Sequence, residues 1–160
     1  MRPGLFRTGL RWRVTGPPSQ IRPRVKKIYL GEDTPTQALF IRGILSREEG
    51  LEPVVFGDGL NMYLAIQKEP PDLIISDNVM PTLDGLAIAR LVKFHEETSH
   101  VPFLLVSSMS AQQIGDLANS GVDCFLPKPL KIPLLMEAVA RLLGGPSAEA
   151  EPLEVQSLED

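Results

Sequence analysis

Five short apolar runs alternate along this chain with five segments of helical character, and this alternation restricts the fold more than any other feature. The runs are KIYL, EPVVF, DLIIS, VPFLLVS and DCFL, beginning at Lys27, Glu52, Asp72, Val101 and Asp123. Each run is too short for a helix and is bounded by turn residues, so we predict strands. Strands that alternate with helices favour a doubly wound α/β fold with a parallel sheet, covered on both faces.

The first predicted helix has the clearest start signal. Thr34 can cap it, Pro35 suits its first position and Gln37 stands at the third. Apolar residues then follow at helical spacing, which predicts the side that faces the sheet: Leu39, Phe40, Ile44 and Leu45.

The other helical segments vary in strength. Asp58 and Asp84 can cap the second and third helices. Residues 110–119 predict a weaker fourth helix ended by Gly121, and residues 132–143 predict an amphipathic fifth. The predicted apolar side of the second helix comprises Leu60, Tyr63, Leu64 and Ile66.

Charge is distributed unevenly along the chain. Residues 1–27 hold eight Lys or Arg and no acid, whereas residues 146–160 hold five acids and no base. We expect a disordered basic leader over residues 1–25, a folded domain over residues 26–145 and a disordered acidic tail over residues 146–160. The leader could contact nucleic acid, but a solvated segment is the simpler interpretation, so a nucleic-acid partner is not expected.

The sequence also excludes several classes of protein. It has no run of eighteen apolar residues, so no membrane span is expected. Cys124 is the single cysteine, which rules out an internal disulfide and fits a reducing, cytoplasmic setting. Acids stand after the first strand where a nucleotide-binding enzyme would have a glycine-rich phosphate loop.

Polar residues follow four of the five predicted strands at the point where each strand ends. Each alone has an ordinary explanation, such as a turn residue or a solvated charge. In doubly wound sheets, however, ligands bind beyond the carboxyl ends of the strands. The joint position of these side chains therefore indicates a functional site, comprising Glu32, Asp33, Asp77, Ser107, Ser108 and Lys128.

The residue types in this set suit phosphoryl chemistry. Three neighbouring acids repel one another unless a cation lies among them, and oxygen ligands suit Mg²⁺, which commonly works with phosphate. One acid could then act as a nucleophile and form an aspartyl phosphate. The metal and Lys128 would neutralise the phosphoryl oxygens while Ser107 donates a hydrogen bond. The pattern therefore predicts phosphorylation of Asp77.

Four stretches together resemble the receiver domain of bacterial two-component response regulators. They are LGEDTP, DLIISDNVMPTLDG, VPFLLVSS and GVDCFLPKPL, and their order and spacing are specific in combination. The resemblance covers residues 27–143. It implies a flavodoxin-like fold, in which five parallel strands have the order 2-1-3-4-5 and five helices cover the sheet.

The resemblance also implies roles for the residues at the strand ends. Asp77 would be the phosphoacceptor. Mg²⁺ would be held by Glu32, Asp33, Asp77 and the backbone carbonyl of Val79. Lys128 would pair with the phosphoryl group, and its bond to Pro129 is expected to be cis.

Further residues would belong to the switch that phosphorylation operates. Ser107, with Ser108 beside it, would turn toward the phosphoryl group, and Phe125 would be the aromatic residue that moves with it. Gly31 departs from the family pattern, in which a larger apolar residue is commoner, and is expected to loosen the end of the first strand.

The implied partners follow from this switch. A histidine kinase or a histidine phosphotransfer protein would donate the phosphoryl group. A downstream protein would read the surface formed by helix 4, strand 5 and helix 5, and two phosphorylated copies could form a homodimer there. Because only the fifteen residues 146–160, which are rich in acids, follow the domain, we expect a stand-alone receiver.

Two alternatives remain open at this stage. A pseudo-receiver would use the same fold as a constitutive interaction module, although the intact acid set argues against it. A phosphatase with an aspartate nucleophile typically has a second acid two residues later, where this chain has Val79. Steady turnover would lack its proton shuttle, so we expect a signalling domain that catalyses only its own phosphorylation and dephosphorylation, and no enzyme.

Overall fold

The computed structural model describes residues 24–144, in which five parallel strands form one sheet with helices on both faces. The strands are β1 (Lys26–Gly31), β2 (Leu51–Phe56), β3 (Leu73–Asp77), β4 (Phe103–Ser107) and β5 (Cys124–Pro127). The helices of this region are α1 (Pro35–Ser46), α2 (Gly59–Lys68), α3 (Gly85–Phe94), α4 (Ala111–Ile114) and α5 (Ile132–Leu142). The strand order is β2-β1-β3-β4-β5, which confirms the predicted fold.

Two buried layers hold the helices against the sheet. Because successive side chains of a strand point to opposite faces, Ile28 and Leu30 of β1 pack with α1 and α5, whereas Tyr29 packs with α2 and α3. The central strand β3 is buried from Leu73 to Ser76. The buried centre of the sheet therefore holds the strand ends that carry the candidate site.

The apolar sides predicted for α1 and α2 are partly wrong. Leu39 and Phe40 of α1 are 66% and 50% exposed, and Leu60 and Leu64 of α2 are 46% and 55% exposed. Two apolar stripes overlap on each helix, and periodicity alone does not choose between them. In α1 the stripe that contains Ala38, a smaller residue than Leu39 or Phe40, faces the sheet. The residues that are buried are Ala38, Ile41, Ile44 and Leu45 of α1 and Gly59, Met62 and Ile66 of α2.

The predicted fourth helix is much shorter than residues 110–119. It begins with a capping box, in which the Ser110 hydroxyl accepts from the Gln113 N–H at 3.2 Å. Gly115 ends it after four residues because its φ of +96° leaves the helical region. Gly121 closes the following turn instead, and an added Cβ there would lie 2.2 Å from Cγ of Lys93.

The expected loosening at Gly31 is also wrong. Gly31 continues the strand by pairing with Phe56 of β2 and Ser76 of β3. Two methionine side chains fill the space that a side chain at this position would occupy: a Cβ would lie 2.9 Å from the Met62 methyl group and 3.0 Å from that of Met80. Flexible methionine side chains fill irregular gaps of this kind.

Gly43 offers a direct test of the helix packing in α1. An added Cβ meets nothing within 4 Å, and replacing a helical Gly by Ala stabilises a protein by about 0.5–1 kcal/mol. Urea unfolding of Gly43→Ala should show a rise of this size in the free energy of unfolding. Gly121→Ala is the opposite case: its φ is +91° and the added methyl group would lie 2.9 Å from the Ala89 carbonyl oxygen, so this substitution should lower stability. A Gly43→Ala protein no more stable than wild type would contradict the packing.

None of the helices within residues 24–144 is long and apolar enough to cross a membrane. The predicted leader, apart from its last two residues, and the predicted tail over residues 146–160 lie outside the described residues.

Candidate functional site

The register of the sheet brings the ends of the central strands to one edge. Gly31 of β1 pairs with Ser76 of β3, and Ser107 of β4 pairs with Pro127 of β5. The Lys128 N–H donates to the Ser107 carbonyl at 2.9 Å, which extends the pairing by one residue. Side chains that are distant in sequence are therefore held within contact distance of one another.

Three carboxylates form the acidic part of the site. Glu32, Asp33 and Asp77 each offer an oxygen, and these oxygens all lie within 4.8 Å of one another. Glu32 is 3% exposed, and its Oε1 accepts from the Thr34 N–H at 3.2 Å. Asp33 is exposed, and Asp77 is partly buried with Oδ1 accepting from the Val79 N–H at 3.3 Å. The cluster is therefore buried on one side and open to solvent on the other.

The ammonium of Lys128 lies between these acids and the first helix. It donates to Asp77 Oδ2 at 2.8 Å, to Glu32 Oε2 at 3.0 Å and to Gln37 Oε1 at 2.6 Å. Burial lowers the pKa of Lys128, but the hydrogen bonds to Asp77 and Glu32 and the negative charges of these two residues together raise it, so that it lies above its ordinary value. Lys128 is therefore a fixed cation beside Asp77 at neutral pH.

Gln37 is the site residue that sequence reasoning missed. The sequence pattern predicts a local cap with Thr34, yet Thr34, although it is the N-cap, makes no side-chain capping bond. The Gln37 side chain instead contacts Lys128, 91 residues later. Its position about one helical turn after Glu32 and Asp33 was the signal in the sequence that it could belong to the site. Only the fold identifies Lys128 as its partner.

The remaining predicted residues lie around this centre. The Ser107 side chain is buried, and its hydroxyl accepts from the Met109 N–H at 3.1 Å, within its own loop. Ser108 is exposed, and Phe125 is half-buried against the layer that contains Phe103 and Leu105. The Lys128–Pro129 peptide bond is cis.

The loop between β3 and α3 is anchored at both of its ends. The Asn78 Oδ1 accepts from the Leu86 N–H at 3.1 Å, and Asp84 caps α3 through the Ala87 N–H at 2.7 Å. A Cβ on Gly85 would lie 2.4 Å from the Asp77 carbonyl oxygen, so glycine is required where α3 meets the end of β3. These contacts fix the backbone that carries Asp77 and Val79.

Comparison with known proteins agrees with this geometry. Residues 28–140, well over half of the 160-residue chain, match the family model described as the response regulator receiver domain. The chain belongs to the receiver-domain family. This match confirms the resemblance noted in the sequence. Receiver domains are the phosphoacceptor modules of two-component signalling.

Several relatives share the receiver domain over most of their own length. The polar-differentiation response regulator DivK of Brucella ovis is 25% identical over 122 residues, which cover 74% of this chain and 97% of that protein. The receiver domain of a signal transduction histidine kinase from Syntrophus aciditrophicus is 30% identical, with a TM-score of 0.69 and coverage of 84% of this chain and 99% of that one.

A third relative was solved with a metal. The receiver domain of sensor histidine kinase PA1611 from Pseudomonas aeruginosa PAO1 is 28% identical, with a TM-score of 0.66 over 75% of this chain and 98% of that one. Its structure has a magnesium ion coordinated in the active site cleft.

Proposed function

We propose that this receiver domain, comprising residues 26–145, accepts a phosphoryl group on Asp77 from a histidine kinase or a histidine phosphotransfer protein, with Mg²⁺ as cofactor. The observation that carries the proposal is the Lys128 ammonium, 2.8 Å from Asp77 Oδ2 and beside a cluster of three carboxylates. A fixed cation next to a partly exposed carboxylate suits a nucleophile that must approach an anionic phosphate.

The donor set fits Mg²⁺. Carboxylate oxygens are the hard ligands that Mg²⁺ prefers, and the exposed side of the cluster leaves room for the waters that it retains. Glu32, Asp33 and Asp77 would hold the ion together with the Val79 carbonyl. When bound, the ion would neutralise phosphoryl oxygens and help to orient the transferring group.

The chain's own residues would carry the transfer. A carboxylate oxygen of Asp77 attacks phosphorus, the P–N bond of the donor phosphohistidine breaks, and the imidazole departs with the bonding electrons. Lys128 neutralises the negative charge on the transferring group. The Ser107 hydroxyl, which accepts a bond in its present position and keeps its own proton, then donates to a phosphoryl oxygen, with Ser108 at the adjacent position.

Signalling would proceed through a change at the surface of α4, β5 and α5. Phe125 of β5 is half-buried and pairs in register with Leu105 of β4, two residues before Ser107. Movement of Ser107 toward the phosphoryl group would let Phe125 turn inward and alter that surface. A downstream protein, or a second phosphorylated copy, would bind the altered surface. We propose that the protein acts this way in the cytoplasm.

A small phosphodonor tests the proposal without knowledge of the kinase. The full chain, incubated with acetyl phosphate and Mg²⁺, should gain the mass of one phosphoryl group, and EDTA should prevent the gain. Intact-mass spectrometry measures both. A folded protein that gains no phosphoryl group when acetyl phosphate and Mg²⁺ are both present would contradict the proposal and favour a pseudo-receiver that binds its partner constitutively.

A further inference from the structure

We infer that Gln37 is a positioning residue for phosphoryl transfer, because it holds the ammonium of Lys128 beside Asp77. This inference rests on the proposed function and adds a residue to it. Its basis is the hydrogen bond of 2.6 Å between Lys128 Nζ and Gln37 Oε1, shorter than the bonds from the same nitrogen to Asp77 and Glu32.

Each N–H of the ammonium has a partner in the unphosphorylated protein. A lysine ammonium has three N–H donors, and here they are directed at Glu32, Asp77 and Gln37. Lysine side chains are flexible, so an ammonium with two partners on one side could swing toward solvent. Gln37 is exposed and forms the third contact from the helix α1, which restricts that movement.

The chemical type of Gln37 suits this purpose. Its amide oxygen accepts a hydrogen bond without adding negative charge to a site that already has three carboxylates. A carboxylate at the same position would compete with the phosphoryl group for Lys128 and would repel the anionic donor. The amide therefore orients the cation and leaves its charge available to the phosphoryl oxygens.

The position in the helix supports a tertiary role over a local one. Gln37 is the third residue of α1, where a capping box would direct its side chain back to the N-cap. Thr34 makes no side-chain capping bond, whereas the same motif is complete in α4 between Ser110 and Gln113. The Gln37 side chain therefore contacts Lys128 in place of a local capping partner.

Gln37→Met tests the inference because it keeps the length of the side chain and removes the acceptor. The maximal rate constant for phosphorylation by acetyl phosphate should fall about tenfold, equivalent to about 1.4 kcal/mol in the barrier. The half-saturating concentrations of acetyl phosphate and Mg²⁺ should stay within about twofold, because a positioning residue acts on the transition state.

Gln67→Met is the matched control. Gln67 is an exposed glutamine of α2 whose Nε2 donates to the Tyr63 hydroxyl at 2.9 Å, so the substitution also removes one side-chain bond on a helix. Its phosphorylation rate should equal that of wild type. Equal rates for Gln37→Met and Gln67→Met would overturn the role of Gln37.

A double-mutant cycle shows whether Gln37 acts through Lys128. Gln37→Met should have less than about a twofold further effect on the rate in a Lys128→Met background. A tenfold loss that persists in that background would overturn the inference while leaving the proposed function intact. A wild-type protein that is not phosphorylated at all would overturn the proposed function and this inference together.

Discussion

Asp77→Asn should gain no phosphoryl group under conditions that phosphorylate the wild-type chain. The substitution keeps the size of the side chain and a carbonyl oxygen that can accept from Lys128, so the fold should survive. It removes the anionic nucleophile, and the neutral amide that replaces it cannot form an acyl phosphate by direct attack. Intact-mass spectrometry with acetyl phosphate and Mg²⁺ would measure the loss.

Asp84→Asn is the control for this prediction. Asp84 caps α3 through the Ala87 N–H at 2.7 Å, close in sequence to Asp77. Asn is an equally good N-cap residue, so this protein should be phosphorylated at the wild-type rate. Phosphorylation that persists in Asp77→Asn would show that another residue accepts the group.

Lys128→Met should have two large effects of different kinds. It leaves Glu32, which is 3% exposed, without its cationic partner. Breaking a buried ion pair costs about 3–5 kcal/mol, and the partial exposure of Lys128 reduces the expected loss to about 2–3 kcal/mol. Urea unfolding in EDTA would measure this loss in the free energy of unfolding.

The phosphorylation rate should fall at least about 100-fold, because the ammonium that neutralises the transferring group is gone.

The same variant should respond more strongly to Mg²⁺. With Lys128 absent, a bound cation would be the main compensation for three carboxylates that lie within 4.8 Å of one another. Mg²⁺ should therefore raise the unfolding midpoint of Lys128→Met more than that of wild type. Lys131→Met, which replaces an exposed lysine at the start of α5, should behave as wild type. A stable Lys128→Met protein with normal phosphorylation would contradict the assigned geometry.

The sheet could be predicted from the sequence because its strands are nearly continuous apolar runs. A run such as LII in β3 is buried on both faces, and that pattern distinguishes a central parallel strand from a surface element. The strand order came from the resemblance to receiver domains, since local pattern does not show which strands are neighbours. Glu32, Asp77 and Lys128 are then predicted to lie close together, because each lies at or directly after the carboxyl end of a parallel strand and these ends meet at one edge of the sheet.

The details of helix packing were less predictable. In α1 the sequence offers two apolar stripes, and burial of Ala38 in place of Phe40 depends on how closely the helix approaches the sheet. In α4 a glycine in the left-handed region ended a helix that composition alone extended to residue 119. The buried side of α1 is decided by tertiary contacts and the length of α4 by a single backbone angle. The periodicity of apolar residues contains no information on either.

Gln37 shows the same limit within the site. Sequence patterns predict contacts with nearby residues, so an amide at the third position of a helix predicts a cap. Its actual partner, Lys128, is identified only when β5 is placed next to β4 and the strand ends are aligned.

Location of the phosphoryl group on Asp77 is the most direct test of the account. The phosphorylated chain can be treated with borohydride, which reduces an aspartyl phosphate to homoserine, and the resulting peptides can be sequenced by mass spectrometry. The account predicts homoserine at position 77 only in samples that received both acetyl phosphate and Mg²⁺. Reduction at a different residue, or no reduction in a folded and Mg²⁺-loaded protein, would contradict it.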